Sequence, residues 1–352
     1  MKQEDQPMTA ADQLPAFTPD PARPRTMLAA CPAYAPTPLA TLSGPDGGVL
    51  LAKDETHRMN LGAFKALGGV YALARLIDEA WQAAGNAPLT PQDYMREEVK
   101  AFASGMTFTT ASAGNHGMAV AAGARIFGAN ARIFLAKDVP AGFERRLKDT
   151  QQAEVVRAGD TYEESVEAAK HNAADTGAIL LADGSWPGYV DPPALIMEGY
   201  TVIAEELREG FEASGEWPSH VFLQAGVGGI AGAVTHMIRA NWAVQPQIII
   251  VEPDAAPCLK ESAAAGHAVT VAGPSCNMGR LDCKDPSIIA LGIMLRSDVS
   301  FLLVSDEEAA QAADWLGGKG MATTPSGAAG LAGLMKFGKC ERPLIIVTEG
   351  AV

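Results

Sequence analysis

Short apolar runs with strand character alternate along this chain with longer stretches of helical periodicity. Residues 48–53 read as a strand, and a helix opening at Asn60 as N-cap is expected behind it. Residues 107–111 form a strand that runs into Ser112-Ala113-Gly114-Asn115-His116-Gly117, followed by a small-residue helix to Phe127. Strands are expected again at 131–136, 154–157, 178–181, 220–224, 247–252 and 343–348. Helical patterns fill the intervals, with a capping box starting at Thr161 and Glu164 and a long helix over 193–211. This alternation predicts an α/β chain of open parallel sheets flanked by helices. Three strand–helix units within 113–195 suffice for a smaller α/β domain, leaving 31–112 and 196–352 for a larger one. The prolines between Pro19 and Pro38 suggest an extended, flexible arm over residues 1–30. Ligands in such folds sit beyond the carboxyl ends of the strands, so the turns after Ala111, Gln224 and Val347 are where chemistry is expected.

Charge narrows the partners. The 352 residues carry 27 Lys and Arg against 41 Asp and Glu, a net charge of −14. That balance argues against nucleic acid or an anionic membrane and for a small-molecule substrate. Residues 1–17 are polar and acidic, with no secretory signal, and no apolar run approaches the length of a membrane span. The five cysteines form no Cys-x-x-Cys pair and are expected as free thiols, with no metal site, in a reducing cytoplasm.

Three places carry candidate chemistry. Lys65 lies in Asn60-Leu61-Gly62-Ala63-Phe64-Lys65-Ala66-Leu67-Gly68-Gly69, where its helical neighbours Leu61, Gly62, Gly68 and Gly69 carry no charge. An amine on such a face loses solvation, which favours its neutral, nucleophilic form and suits attack on a carbonyl. The turn Gly226-Val227-Gly228-Gly229 follows a strand and opens a helix, as a phosphate cradle does. It also fits a dinucleotide fingerprint, Gly226-x-Gly228-x-x-Ala231 with Glu252 on the next strand, so a nicotinamide-dependent oxidoreductase competes. The Ser112 to Gly117 turn gathers a hydroxyl, an amide and free helix N–H groups that suit a carboxylate and a neutral ring oxygen, with His116 read as structural.

Taken in order, Lys53-Asp54-Glu55, Phe64-Lys65, Ser112 to Gly117, Gly226 to Gly229, Glu252 and Thr348-Glu349-Gly350 resemble the fold-type-II, tryptophan-synthase-β-like pyridoxal phosphate enzymes. The match covers nearly the whole folded region. Within that family the chain looks most like the diaminopropionate ammonia-lyases, on Tyr34 to Leu39, Asp183-Gly184-Ser185-Trp186-Pro187-Gly188-Tyr189, Ile196 to Thr201, Leu223 to Gly228 and Thr348 to Gly350.

The resemblance implies pyridoxal 5′-phosphate held by Lys65 as a Schiff base. Asn115 would bond the ring oxygen, the backbone of Gly226, Val227, Gly228 and Gly229 would hold the phosphate, and Thr348 would face the pyridine nitrogen. Ser112, Ala113 and Gly114 would hold the substrate carboxylate, Lys65 would take the Cα proton, and Asp183 would assist proton transfer to the leaving group. Asp191 and Glu198 read as surface or capping residues, while Glu252 and Glu349 could border the ring.

Those ammonia-lyases usually place an aspartate where this chain has Ala113, and here the turn reads like a serine or threonine dehydratase. The expected reaction is α,β-elimination from a short amino acid with a β-amino leaving group, giving a 2-keto acid and ammonia. The alternative is a dehydratase of serine, threonine or 3-hydroxyaspartate. A β-replacement synthase and a catalytically dead regulatory protein are weaker readings, and the family implies a homodimer.

Overall fold

A computed structural model describes residues 10–112, 114–137 and 139–351. The strands are Leu39–Ser43 (β1), Val49–Asp54 (β2), Thr107–Ala111 (β3), Asn130–Leu135 (β4), Glu154–Arg157 (β5), Ile179–Leu180 (β6), His220–Gln224 (β7), Gln247–Pro253 (β8), Val299–Val304 (β9) and Pro343–Val347 (β10). They form two sheets, ordered β1-β2-β10-β7-β8-β9 and β5-β4-β3-β6. Every pairing is parallel except β1 with β2, an antiparallel hairpin at the edge of the larger sheet. All five residues of β10 are buried, as are six of the seven in β8, which is what continuous apolar runs become when helices cover both faces. The first strand of the smaller sheet is β3, so the expected boundary at 113 falls just beyond a strand that belongs to that sheet.

The N-terminal region departs from the extended arm expected of it. From residue 10 onward it carries a 3₁₀ turn, Ala10–Gln13, and a helix, Ala22–Ala29, with Phe17 and Leu28 buried. Pro21 and Pro24 lie at the start of that helix, where a missing N–H costs nothing. Glu198, expected as a surface or capping residue, is buried and accepts from the Asp20 N–H and the Tyr71 hydroxyl, each at 2.7 Å, which fastens this region to the body.

Lys65 also begins its helix differently. The helix Lys65–Ala83 starts at Lys65 itself, with Phe64 as an uncapped N-cap. Asn60 instead lies in a left-handed conformation, as do Met59 and Gly62. The residues between cannot be helical because they pair with the end of β10: Ala63 bridges Glu349, the Phe64 N–H donates to the Thr348 carbonyl at 3.1 Å, and the Gly350 N–H donates to Gly62 at 2.9 Å.

From there the helix crosses two others on glycine. A Cβ at Gly68 would fall 2.4 Å from the Tyr200 ring in the helix Asp191–Ser214, and one at Gly69 would fall 2.7 Å from Ala119 in the helix Asn115–Phe127. The Lys65 helix therefore contacts elements of both sheets.

A buried ionic cluster sits beneath this segment. Glu206 accepts from Lys53 at 2.6 Å and from both Arg58 Nη atoms at 2.8 Å, and Glu55 accepts from Arg58 Nε and Nη2 at 2.7 Å. Lys53, Glu55, Arg58 and Glu206 are all buried, with two acids balancing two bases. Glu206→Ala would leave Lys53 and Arg58 short of their shared counter-ion, and we expect a loss of about 3–5 kcal/mol of stability, read from the urea unfolding midpoint.

Candidate active site

The end of β3, the end of β7, the end of β10 and the start of the Lys65 helix converge, and the side chains singled out from the sequence gather there. Lys65 pairs with Asp183, which stands between β6 and the helix Asp191–Ser214. Burial alone would lower the Lys65 pKa, but the Asp183 carboxylate outweighs it and the net shift is well upward. Burial likewise pushes Asp183 up, and the charge of Lys65 overrides this and holds the carboxyl far below its usual range. The neutral amine expected from the helix face is thus overturned. No charge lies nearby in sequence, but one arrives from 118 residues away.

Asp183 is held by its own turn. Trp186 and Tyr189 form an isolated bridge with rings stacked at 4.3 Å, and Gly188 takes the left-handed conformation that closes it. The Tyr189 hydroxyl donates to Leu180 at 2.9 Å and accepts from the Ala182 N–H at 3.0 Å. Ser185 and Ser287 share a hydroxyl contact of 2.6 Å, and the Ser287 N–H donates to the Val227 carbonyl at 2.9 Å. These bonds tie Asp183 to the glycine turn.

The glycine turn is closely packed. Gly228 has φ +100°, and a Cβ there would meet Leu259 at 2.7 Å and Ala290 at 2.9 Å. At Gly226 a Cβ would meet the Cys283 sulfur at 2.9 Å. Gly229 opens the helix Gly229–Asn241, whose first N–H groups have no partners within the helix. Burial pushes the Cys283 thiol up to about 12, so it is a neutral thiol here, and all five cysteines are free. Across the cleft, Thr348 accepts from Gln224 Nε2 at 3.2 Å. Phe64 and Tyr200 meet edge to face at 4.9 Å, and Tyr200 lies 3.5 Å from the Cβ position of Gly229.

At the third turn, Asn115 is the first residue of its helix and donates its side-chain amide to Glu349. Ser112 Oγ accepts from the Gly114 N–H at 3.2 Å. Ala113, expected to help hold a carboxylate, lies outside the described residues. His116 is buried and its Nε2 donates to the Leu181 carbonyl at 2.7 Å. Burial keeps the imidazole neutral and Nδ1 faces no partner, in keeping with a structural residue.

Glu252 does not point to a cofactor. Its two oxygens accept from the Leu259 and Lys260 N–H groups at 2.8 and 2.9 Å, capping the helix Cys258–Ala265. Burial raises it to about 7. A carboxylate so occupied is unavailable to a ribose, which removes the support for the nicotinamide reading.

A cavity of about 430 Å³ opens beside this centre, between the helix Tyr162–Thr176 and residues 268–288. It is lined by Asp183, Val227 and Cys283 but not by Lys65, Asn115 or Thr348. Residues 276–287 contribute Arg280, Cys283 and Ser287. Sequence periodicity gave no hint of them, because that segment holds no helix or strand.

The arrangement fits pyridoxal phosphate. It offers a cradle that a Cβ would fill, free N–H groups at a helix start for the phosphate, an amine at Lys65, and a neutral hydroxyl at Thr348. Comparison with known proteins agrees. Residues 30–349 match the family described as pyridoxal-phosphate dependent enzyme, and the chain belongs to it. Diaminopropionate ammonia-lyase of Escherichia coli K12 is 35% identical over 287 residues, 79% of this chain and 70% of that protein. A crystal structure of the E. coli enzyme with an aminoacrylate–PLP azomethine intermediate superposes with a TM-score of 0.80 at 31% identity, covering 94% of this chain and 88% of that one. A probable D-serine dehydratase of Rhizobium leguminosarum is 28% identical over 220 residues, 60% of this chain and 48% of that protein.

Two outcomes are expected of this geometry. In protein stripped of cofactor, Asp183→Asn should let burial act on Lys65 alone and bring its titration below the ordinary value of about 10.4. The pH profile of Lys65 acylation, followed by peptide mass spectrometry, reads this directly. Gly228→Ala should weaken pyridoxal phosphate binding by about tenfold or more, seen by fluorescence titration, because a left-handed backbone and two packed side chains oppose the added methyl.

Proposed function

We propose that this member of the pyridoxal-phosphate dependent enzyme family is an ammonia-lyase that eliminates the β-substituent of a short amino acid. The observation that carries this reading is the Lys65–Asp183 pair beside the glycine turn. Lys65 would carry the cofactor, the N–H groups of Gly226, Val227, Gly228 and Gly229 would hold its phosphate, Asn115 would bond its ring oxygen, and Thr348 would face its ring nitrogen. When bound, the cofactor supplies an electron sink for the carbanion at Cα. The neutral hydroxyl of Thr348 does not compel a protonated ring, which favours elimination over transamination.

The protein's part is to bind and to move one proton. The turn of Ser112, Ala113 and Gly114 would hold the substrate carboxylate with helix N–H groups. The Lys65 amine would take the Cα proton. While Lys65 is charged, Asp183 stays ionised. Transfer of that proton along their hydrogen bond discharges both, and burial then favours a protonated Asp183. Asp183 can deliver the proton to the leaving group as the Cβ bond breaks. Such positioned acid–base catalysis is worth about 10²–10⁴-fold. The released enamine takes up water to give a 2-keto acid and ammonia.

Relatedness supports diaminopropionate as substrate, with ammonia as the leaving group. A second reading, dehydration of a 3-hydroxyamino acid, is supported by Ala113 in place of a carboxylate and by the similarity to a D-serine dehydratase. With the same resemblance goes a cytoplasmic homodimer, and five free thiols suit a reducing compartment. Among the described residues no helix is long and apolar enough to cross a membrane.

Purified protein should be yellow, and borohydride should fix the cofactor to Lys65, located by mass spectrometry. Diaminopropionate or a 3-hydroxyamino acid should then yield keto acid and ammonia. Asp183→Asn should keep the colour and lose about 10²-fold or more in kcat. A colourless protein that takes up no pyridoxal phosphate, or unchanged turnover in Asp183→Asn, would contradict these assignments.

A further inference from the structure

Among the described residues, the Arg280 side chain crosses this site with no hydrogen-bond partner. Its backbone N–H donates to Ser326 Oγ at 3.1 Å, and its carbonyl lies 3.2 Å from the Cβ position of Gly226, so the residue starts beside the glycine turn. Its side chain then reaches the Asn115 turn, where a Cβ on Gly114 would fall 2.7 Å from Nε and 3.2 Å from Cζ. Among the described residues Nε is buried with no hydrogen-bond partner, and its ionic contact is Glu349 Oε2 at 3.6 Å. Glu349 is already engaged, with Oε1 accepting from Thr324 and Oε2 from Asn115. About a third of the Arg280 side chain remains exposed. A guanidinium has five donors in a fixed fork that matches a carboxylate, and here they stand unused beside a helix start that already suits one carboxylate.

We propose that Arg280 is a specificity-determining residue that binds a second carboxylate, so that this enzyme acts on a dicarboxylic amino acid with a β-hydroxyl group. The proposal rests on the elimination reading and bears on which of its two leaving groups arrives. The first carboxylate meets the N–H groups at the start of the Asn115–Phe127 helix, and the second, on the β-carbon, meets the guanidinium that lies against Gly114. A β-ammonium in that place would face a like charge. The acid at the guanidinium, Glu349, is held by two other donors. Elimination then removes the Cα hydrogen as a proton and the β-hydroxyl as water, and hydrolysis of the enamine gives a keto diacid and ammonia.

The test compares kcat/KM of the holoenzyme for 3-hydroxyaspartate, serine and diaminopropionate in wild type and Arg280→Met. It is paired with absorbance titrations of both proteins with aspartate and alanine, which lack a β leaving group. Wild type should favour 3-hydroxyaspartate over serine by about tenfold or more, and Arg280→Met should erase most of that ratio. Aspartate affinity should fall by a similar factor while alanine affinity changes by less than about threefold, and Arg280→Lys should restore part of the aspartate affinity. A wild type that prefers serine or diaminopropionate would overturn the proposal. Equal loss of aspartate and alanine in Arg280→Met would also overturn it, since the guanidinium would then serve the α-carboxylate common to both. If none of the three β-substituted amino acids is consumed, the elimination reading fails, and the aspartate and alanine titrations still decide the role of Arg280.

Discussion

The placement of Lys65 depends on a buried cluster that never touches it. The segment that delivers Lys65 passes through three left-handed residues, Met59, Asn60 and Gly62. Glycine and asparagine tolerate that region, but a buried methionine does not, and strain of this kind costs on the order of 1–3 kcal/mol. Something must hold the chain there. Arg58, one residue upstream, is fixed by five hydrogen bonds to Glu55 and Glu206 and to the Thr37 hydroxyl, and by a further one to the Ala35 carbonyl. Lys53 completes the balance of charge on Glu206. Removing one partner from such a cluster typically costs about 3–5 kcal/mol, which exceeds the strain. The segment is pinned at Arg58 and at β10, and the geometry between those points leaves Lys65 at the first turn of its helix.

A second constraint is electrostatic and crosses the molecule. Lys65 belongs to a helix packed between the helices Asn115–Phe127 and Asp191–Ser214, and Asp183 to a turn at the edge of the smaller sheet. Each charge in isolation would be disfavoured by burial. Together each stabilises the other, so the pair behaves as a single site that holds one proton or passes it on. On the proposed reading that coupling would make a lysine and an aspartate an acid–base relay, and it depends on where the Trp186–Tyr189 turn holds Asp183. The polar bonds of Ser185, Ser287 and Tyr189 therefore hold the turn that carries Asp183 against the glycine turn.

Much of the scaffold was legible before any coordinates. β3, β5 and β7 fall where strand character was expected, and the capping box at Thr161 is present with both of its hydrogen bonds. The glycine turn was legible because it joins a strand to a helix, a boundary that periodicity marks well. β1 and β9 were not read, nor was the Ala22–Ala29 helix, because partly exposed edge elements lack the strong patterning of a buried strand. Asn60 misled because it is a good N-cap by type, and only pairing of Ala63 with Glu349, nearly 290 residues away, forbids the helix there. The counter-ion of Lys65 was missed as a counter-ion for the same reason. Local sequence reports neighbours three and four residues apart, whereas Asp183 had been identified only through a resemblance.

The division between what was legible and what was not follows the division of labour in the site. Residues at strand ends and helix starts, Lys65, Asn115, the Gly226 turn and Thr348, are those proposed to serve chemistry common to the family, and regular elements fix them. Residues 276–287 have no helix or strand, yet they press against the glycine turn so closely that Gly226 can carry no Cβ beside Leu281 and Cys283. Ala290, at the start of the next helix, does the same to Gly228. The glycines are therefore required by this packing, apart from the phosphate they are proposed to hold. Because that segment is free of ladder hydrogen bonds, its side chains can change without disturbing either sheet. Arg280 is such a side chain, rooted beside the cofactor cradle and ending at the turn that would receive the substrate. A fold that fixes the reaction at its strand ends and leaves one close-packed irregular segment to meet the substrate can change specificity without rebuilding its catalytic centre.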